Sequence, residues 1–359
     1  MAAHHSFVSS SLRWCWCLLV SFLCVSILFV DPATAGRKVR DNAADPSAIK
    51  VGDFYYSAEA ADGAIYVRGA STLEGLGAPN VWRERVWSPS PGLTDIWAPD
   101  MTTDLGRTFI HFSAGKDAAH RMYVISADSP LNSVYSGETK LALPDDQWAI
   151  DGTFFVFNGL GYMVWSGWDS NRPNAEQNLY ICRMDSPSKP IGKRYIISQP
   201  REPWETEKIN EGPQAIVDPA GQLHIVYSAS GSWTDNYCLA DLRLKKGGDP
   251  FNVWDWYKSN GCLFGSHKER MMPGWDPTQK VNGPGHHTFA LPDGEVRKSP
   301  GGTNQIPFMF HAVEKGKEYS WGNRAWFTGS FVWWGGVTYK RANVPGPNED
   351  TGASFKFFE

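Results

Sequence analysis

The chain has 359 residues, a formal net charge of −4 and no run of basic residues. These properties do not favour binding to a nucleic-acid backbone or an anionic lipid surface, so we expect neither partner. The chain is also rich in aromatic residues, with 17 tryptophans and 13 tyrosines. Flat rings pack well in protein cores, and their faces also suit the apolar faces of sugars.

Residues 1–35 have the pattern of a secretory signal. Arg13 precedes an apolar run from Leu18 to Val30, and residues 33–35 form a small-x-small cleavage site. The run is shorter than the about 20 residues of a membrane span. The alternative is an uncleaved signal anchor. We expect cleavage, export and a mature form without a membrane partner, in which residues 36–359 form one domain.

Three cysteines remain after the signal segment, namely Cys182, Cys238 and Cys262. Export permits a disulfide, and Cys238 and Cys262 are the nearer pair. A bridge between them would add about 3 kcal/mol of stability by closing a loop in the unfolded chain. Cys182 lies in an apolar run and is expected to be a buried free thiol. Without a Cys-x-x-Cys pair, a structural zinc site is not expected.

The rest of the chain has the pattern of an all-β protein. Short apolar or alternating stretches are separated by clusters of Gly, Pro, Asp and Asn, and no helical period is sustained over three turns. The predicted strands are residues 54–58, 65–68, 108–112, 122–126, 153–157, 162–165, 178–183, 194–197, 215–217, 223–227, 306–312 and 329–334.

A looser pattern recurs at intervals of roughly 50 to 75 residues. Each unit begins with a polar head that contains Gly or Pro, followed by a strand, a turn and a second strand. Five such units predict a single five-bladed β-propeller, and their even spacing disfavours a double β-sandwich. Residues 342–359 are expected to form only a short tail. The heads contain Asp45, Asp100, Asp151, Glu211 and His286.

In a propeller, the first strand of each blade lines a central channel, so the five heads would meet at one mouth. A single Asp before Pro or Gly is common in turns and needs no functional explanation. Acidic residues at equivalent positions of several repeats are harder to explain in this way. The repeat therefore predicts one site built from residues far apart in the sequence.

The heads resemble the signature segments of glycoside hydrolase family 43. Asp45-Pro46, followed by Gly-Asp-Phe-Tyr-Tyr, resembles the segment that carries the general base. Ile-Asp151 resembles the segment of the residue that tunes the acid, although Gly152 stands where the family more often has Pro or Ser. Glu211-Gly-Pro resembles the segment of the general acid.

Three further segments extend the resemblance over nearly the whole mature chain. Trp97-Ala-Pro-Asp100 resembles a segment that lines the family's site, which makes both residues candidate substrate contacts. Gly-Pro-Gly-His286 resembles the segment that places a histidine in the channel, near an ion or water. Arg324, followed by Trp326 and Phe327, resembles a looser pattern that contributes a substrate contact.

The resemblance implies inverting hydrolysis of a glycosidic bond. This reaction needs one carboxylate to activate water and one protonated carboxyl group to protonate the leaving oxygen, about 6.5–9.5 Å apart. Asp45 would be the base and Glu211 the acid. Asp151 would raise the pKa of Glu211 by like-charge repulsion. Trp97 would be a sugar platform.

Other reaction classes lack their motifs. The sequence contains no Gly-x-Ser-x-Gly elbow, no Gly-x₄-Gly-Lys phosphate loop and no His-Glu-x-x-His. His286 and His287 are adjacent, so in a strand they face opposite sides and cannot both bind one ion. We therefore expect no required cofactor, and the resemblance leaves open only a structural calcium ion near His286.

Among family members, the chain most resembles secreted exo-acting α-L-arabinofuranosidases that act on arabinan or arabinose-substituted polysaccharides. An endo-1,5-α-L-arabinanase shares the same acids and is the first alternative, followed by a β-xylosidase. A non-catalytic sugar-binding propeller is the alternative from another class, and the complete set of three carboxylates argues against it. We expect a monomer.

Overall fold

Antiparallel β-strands form the framework of the chain, as the sequence pattern predicts. The computed structural model describes residues 36–172, 176–291, 305–342 and 348–359. These ranges belong to one unit, residues 34–359. The secretory signal predicted for residues 1–35 lies outside the described residues. None of the described helices is long and apolar enough to cross a membrane.

The strands are numbered in chain order. They are β1 (Lys38–Arg40), β2 (Ser47–Val51), β3 (Phe54–Ala61), β4 (Ala64–Ala70), β5 (Trp82–Trp87), β6 (Trp97–Asp104), β7 (Arg107–Ala114), β8 (Arg121–Ala127), β9 (Thr139–Lys140), β10 (Ala149–Phe157), β11 (Leu160–Gly167), β12 (Asn178–Ser186), β13 (Lys189–Ser198), β14 (Asn210–Val217), β15 (Leu223–Ala229), β16 (Cys238–Leu244), β17 (Trp256–Lys258), β18 (Val281–Phe289), β19 (Ile306–Glu314), β20 (Arg324–Arg341) and β21 (Glu349–Phe358). The described helices are 3-10 turns at Glu74–Gly77, Asp117–Ala119, Pro144–Asp146, Val253–Asp255, Lys268–Arg270 and Trp321–Asn323.

The strands form four sheets. Strands β2 to β5, β6 to β9 and β10 to β13 form three four-stranded meanders. The other nine strands form one sheet in the order β14-β15-β16-β17-β20-β19-β18, with β1 and β21 also paired to β20. The strands β2, β6, β10, β14 and β18 contact one another in that order, and β18 contacts β2. All five line one internal cavity, so the head of each faces a common channel.

All twelve predicted strands are confirmed, but the prediction for the C-terminal segment is wrong. Within residues 342–359, which we expected to be a short tail, Glu349–Phe358 forms β21 and pairs along most of β20. In this strand, Phe355 is fully buried against Phe331 and Trp333. These cross-strand aromatic contacts hold the segment in the last sheet.

The N-terminal segment closes onto the last sheet. Strand β1 pairs with β20. The Ala43 N–H then donates to the Arg324 carbonyl at 3.0 Å, and the Trp326 indole N–H donates to the Ala44 carbonyl at 2.8 Å. Residues at the two ends of the described chain therefore hold the segment that immediately precedes Asp45.

The predicted disulfide and the predicted buried free thiol are confirmed. Cys238 and Cys262 form a disulfide across a sequence separation of 24 residues. Cys182 is a buried free thiol, and burial raises its pKa to about 12. Its thiol is therefore protonated and unreactive near neutral pH.

Replacing both Cys238 and Cys262 by alanine is expected to lower the free energy of unfolding by about 3 kcal/mol, because the unfolded chain regains the freedom of the closed loop. Urea denaturation without reductant measures the change. Cys182→Ala is the matched control, since it removes one buried sulfur without removing a crosslink. A double variant that loses no more stability than twice the control would contradict a stabilising disulfide.

Candidate active site

The same β-bulge occurs near the head of four inner strands. In β6 the two residues 98–99 oppose only Phe112, and in β10 the two residues 151–152 oppose only Trp165. In β14 residues 212–213 oppose Tyr227, and in β18 residues 286–287 oppose Phe310. A bulge bends its strand and re-aims the side chains beside it. Here the four bulges lie at the mouth of one channel.

Each bulge begins with a residue in the left-handed region of backbone conformation. The φ angles are 43° at Ala98, 56° at Asp151, 54° at Gly212 and 42° at His286, and Asp45 before β2 has 48°. A left-handed conformation is unfavourable for residues other than Gly, at about 1–2 kcal/mol each. Four of these five residues are not glycine and carry this strain, which is typical of functional sites. Because all five lie at strand heads that face one channel, its mouth is the candidate site.

Asp45 is held by groups from the last sheet. Its N–H donates to Nδ1 of His311 at 3.1 Å. Its Oδ1 lies 3.2 Å from Nδ1 of His286 and 3.9 Å from a guanidinium nitrogen of Arg324. Burial alone would raise the pKa of Asp45, but His286, His311 and Arg324 together hold it well below its usual range. Asp45 is therefore ionised at neutral pH and can accept a proton.

His311 stays neutral beside this carboxylate. Burial lowers the pKa of His311 to about 4, against the opposing effect of Asp45. Nδ1 of His311 lies 3.1 Å from the Asp45 nitrogen and 3.2 Å from Oδ1 of Asp45. His311 therefore contacts both the backbone and the carboxylate of Asp45, and His286 and Arg324 face the same carboxylate.

Asp151 connects three heads. Its Oδ2 accepts the Gly212 N–H at 3.0 Å and lies 3.8 Å from Nδ1 of His286. Burial raises the pKa of Asp151, as do the charges of Asp45 and Asp100, and the Gly212 N–H opposes this rise. Asp151 thus lies close to the other carboxylates and to the backbone next to Glu211.

Glu211 has the environment of a proton donor. It is buried, and its Oε1 accepts a hydrogen bond from the Tyr237 hydroxyl at 2.9 Å. Burial raises its pKa, and the nearby Asp151 charge raises it further. We place the proton of this pair on Glu211, because a hydroxyl group can also accept a hydrogen bond, whereas the backbone N–H at Asp151 can only donate.

Two glycines of the signature segments are explained by close packing. A Cβ atom on Gly285 would lie 2.1 Å from the ring of Tyr237, so a side chain there would displace the residue that contacts Glu211. A Cβ on Gly152, where the chain departs from its relatives, would lie 2.7 Å from Cε of Met122. The glycine at this position therefore leaves room for the side chain of Met122.

Asp100 lies deeper in the channel than the repeat placed it. The left-handed residue of β6 is Ala98, so Asp100 corresponds in position to Ser47, Thr153 and Gln214, each two residues beyond its own left-handed position. Its Oδ1 accepts from Ser47 at 3.3 Å and from Gln214 at 3.0 Å. Burial outweighs these bonds and raises the pKa of Asp100 to about 6. The prediction that Asp100 lies at the mouth of the channel is therefore wrong.

Trp97 precedes the left-handed residue of β6, as Glu211 does in β14. Its side chain is 44% exposed and stacks on His120 with ring centroids 3.8 Å apart. Together with Asp45 and Trp326 it lines a cavity of about 220 Å³. An exposed ring fixed on one face and open on the other is a suitable sugar platform.

Sequence reasoning missed Tyr237 and His311. Both belong to strands or loops outside the signature segments, and neither has a local motif that marks it. Their rings stack in parallel, with centroids 5.5 Å apart and an interplanar angle of 9°. Tyr237 contacts Glu211 and His311 contacts Asp45, so this stacked pair links the candidate acid to the candidate base.

With the site described, comparison with known proteins identifies the family. The family model for glycosyl hydrolases family 43 matches residues 39–336. The chain belongs to this family. It is 33% identical over 283 residues to an extracellular exo-α-(1→5)-L-arabinofuranosidase of Streptomyces avermitilis, covering 74% of this chain and 54% of the relative. It is 29% identical over 260 residues to α-L-arabinofuranosidase 43 of Humicola insolens, covering 69% and 51%.

A solved structure agrees with these relatives. The fold is similar to that of an α-L-arabinofuranosidase from Lactobacillus brevis, with a TM-score of 0.68 and 27% identity over 86% of this chain and 96% of that one. The chain spans only about half the length of the curated relatives it matches. The family model, the curated relatives and the solved structure thus agree on the family.

The side chains around His286 differ from the usual ligand set of a calcium ion. Calcium takes six to eight oxygen ligands. His286 instead directs Nδ1 towards Asp45 and Asp151, and the described part of the chain contains no group of three or more His, Cys, Asp and Glu side chains arranged for a metal ion. These side chains alone do not supply the oxygen ligands of a calcium ion.

Asp151→Asn and Tyr237→Phe are expected to shift the basic limb of the kcat/KM profile in opposite directions, because both side chains affect the raised pKa of Glu211. Loss of the Asp151 charge lowers the pKa of Glu211, so activity falls at lower pH. Loss of the Tyr237 hydrogen bond destabilises ionised Glu211, so activity persists to higher pH. Hydrolysis of an alkyl arabinofuranoside across pH measures both shifts, because its leaving oxygen needs the proton of Glu211.

Tyr339→Phe is the control, because Tyr339 is a fully buried tyrosine whose hydroxyl donates to Asp241. Its basic limb should match that of the parent. Shifts in the same direction for the two test variants would contradict the assignment of the proton to Glu211.

Proposed function

We propose that this chain is a secreted, inverting glycoside hydrolase that releases L-arabinofuranose from arabinan or arabinose-substituted plant polysaccharides. The observation that carries the proposal is the opposite electrostatic environment of two carboxyl groups at one mouth. The pKa of Asp45 is held low by His286, His311 and Arg324, against burial, and the pKa of Glu211 is raised by burial and Asp151. A pair of this kind supplies the base and the acid of glycoside hydrolysis.

In the proposed reaction, Asp45 accepts a proton from water as the water oxygen bonds to the anomeric carbon. The bond from that carbon to the leaving oxygen breaks, and Glu211 transfers its proton to this oxygen. Attack from the face opposite the leaving group inverts the anomeric centre. Asp151 keeps Glu211 protonated, and Arg324 lies beside the base. All these groups belong to the chain, so the reaction needs no cofactor.

The architecture proposed for this site is a five-bladed β-propeller in which strands β14 to β17 and β18 to β21 form two blades joined through the β17–β20 pairing. Closure of β18 onto β2 supports it. Secretion is supported by the disulfide and by the extracellular relative. The monomeric state and a structural calcium near His286 stay predictions of the sequence.

Arabinose specificity and exo action are supported by the names of the relatives. The alternatives are an endo-1,5-α-L-arabinanase, a β-xylosidase and a sugar-binding propeller. No contact in the site favours any of them over the proposal, and the acid–base pair argues against simple binding.

Glu211→Gln and Asp45→Asn are each expected to reduce kcat on an alkyl arabinofuranoside at least about 100-fold, which is the usual contribution of one acid or base. The kcat of Glu211→Gln should fall far less on a dinitrophenyl arabinofuranoside, whose leaving group needs no proton. The kcat of Asp45→Asn should fall equally on both substrates. Initial rates on the two substrates measure the difference.

Glu349→Gln, which alters an exposed carboxylate on β21, is the control and should retain parental rates. Thermal unfolding shows whether each variant is folded. Parental activity in a folded Asp45→Asn or Glu211→Gln variant would refute the assigned roles.

Product analysis on linear 1,5-arabinan and on arabinoxylan tests the mode of action. We expect arabinose as the sole early product from linear arabinan, because the proposal is an exo enzyme. Early oligosaccharides would identify an endo enzyme, and release of xylose from xylo-oligosaccharides would identify a xylosidase. Binding to arabinan without any product would leave the sugar-binding alternative.

A further inference from the structure

Two exposed tryptophans form a corner at the channel mouth. Trp233 lies in the loop between β15 and β16, and Trp321 lies in the 3-10 turn before β20. Their side chains are 49% and 59% exposed. The rings stand almost perpendicular, at 87°, with centroids 6.4 Å apart. They therefore present two apolar faces at a right angle to solvent.

The backbone beneath this corner is held in place. The Tyr319 hydroxyl lies 3.3 Å from the carbonyl of Ser232, next to Trp233, and 3.4 Å from the carbonyl of Gly283. At the start of the same loop, the Gly231 N–H donates to the Glu207 carboxylate at 3.2 Å. Rings on a fixed backbone lose little freedom when a ligand binds, so the corner is a preorganised surface.

Two contacts connect the corner to the reacting groups. The guanidinium of Arg324 lies 3.9 Å from Oδ1 of Asp45 and 5.9 Å from the centre of the Trp321 ring. Tyr237, which hydrogen-bonds to Glu211, ends the loop that carries Trp233. Trp321 is thus linked through Arg324 to the candidate base, and Trp233 through its loop to the candidate acid. The corner therefore borders both reacting groups at the exposed mouth.

We propose that Trp233 and Trp321 form the subsite for the leaving group, a neutral sugar residue to which the released arabinose is attached. This inference rests on the proposed function. One indole stacks on the apolar face of the sugar, and the other contacts its edge. The corner then distinguishes a sugar leaving group from a small one, and it stabilises the bound substrate through contacts remote from the broken bond.

The test compares two substrates that differ only in what occupies the corner. A 1,5-linked arabino-oligosaccharide places a sugar there, whereas arabinofuranosyl fluoride leaves it empty. Trp233→Ala and Trp321→Ala are each expected to lower kcat/KM on the oligosaccharide about tenfold or more, with values on the fluoride within twofold of the parent. Trp233→Phe should lose less than Trp233→Ala, because a smaller ring remains.

Trp254→Ala is the matched control. Trp254 has the same exposure as Trp233, 49%, and lies in the 3-10 turn before β17. It should retain parental kcat/KM on both substrates. Thermal unfolding of every variant verifies that it is folded.

Equal losses on the oligosaccharide and the fluoride would overturn the inference, because the corner would then act on the reacting groups rather than on the leaving sugar. Unchanged values on both would also overturn it, with the proposed function intact. Failure of the unaltered chain to hydrolyse either substrate would refute the proposed function, and the leaving-group subsite with it.

Discussion

The site depends on a repeated β-bulge. At the head of each of four inner strands, two residues oppose one buried aromatic ring, and the first of the two is in the left-handed region. The large rings provide the burial that offsets a strained backbone. Because the same distortion recurs around one channel, it brings Asp151, Glu211 and His286 together although they lie far apart in the sequence.

The pKa values of Asp45 and Glu211 differ because their two carboxyl groups have different neighbours. Asp45 faces Arg324 and His286 and is ionised, whereas Glu211 is buried beside Asp151 and its pKa is raised. Both are carboxyl groups, so their surroundings alone account for the difference in pKa. The stacked rings of Tyr237 and His311 connect them, so the packing that sets their separation also supplies the hydrogen bonds that orient them.

The sequence predicted what is local and repeated. Asp45, Asp151 and Glu211 were found because each stands beside Gly or Pro at the head of a strand. Asp100 was placed at the channel mouth because its segment contains a Pro, as the segment of Asp45 does. The residue equivalent to Asp45 is Ala98, two positions before Asp100. Tyr237 could not be found, because its role arises from a contact with Glu211, 26 residues away in the sequence, that no local pattern records. The strand Glu349–Phe358 was missed because it lies outside the five repeats and its burial does not alternate regularly.

Asp45 differs from the other two carboxylates in how it is positioned. Asp151 and Glu211 lie within strands of their own sheets, and their bulges form as those sheets form. Asp45 precedes β2 and is held instead by His311 and by the carbonyl contacts of residues 43–44 with β20. These contacts exist only once the N-terminal segment has met β20. The base is thus completed by closure of the ring, so the stability of the β1–β20 junction and the geometry of the reacting groups rest on the same hydrogen bonds.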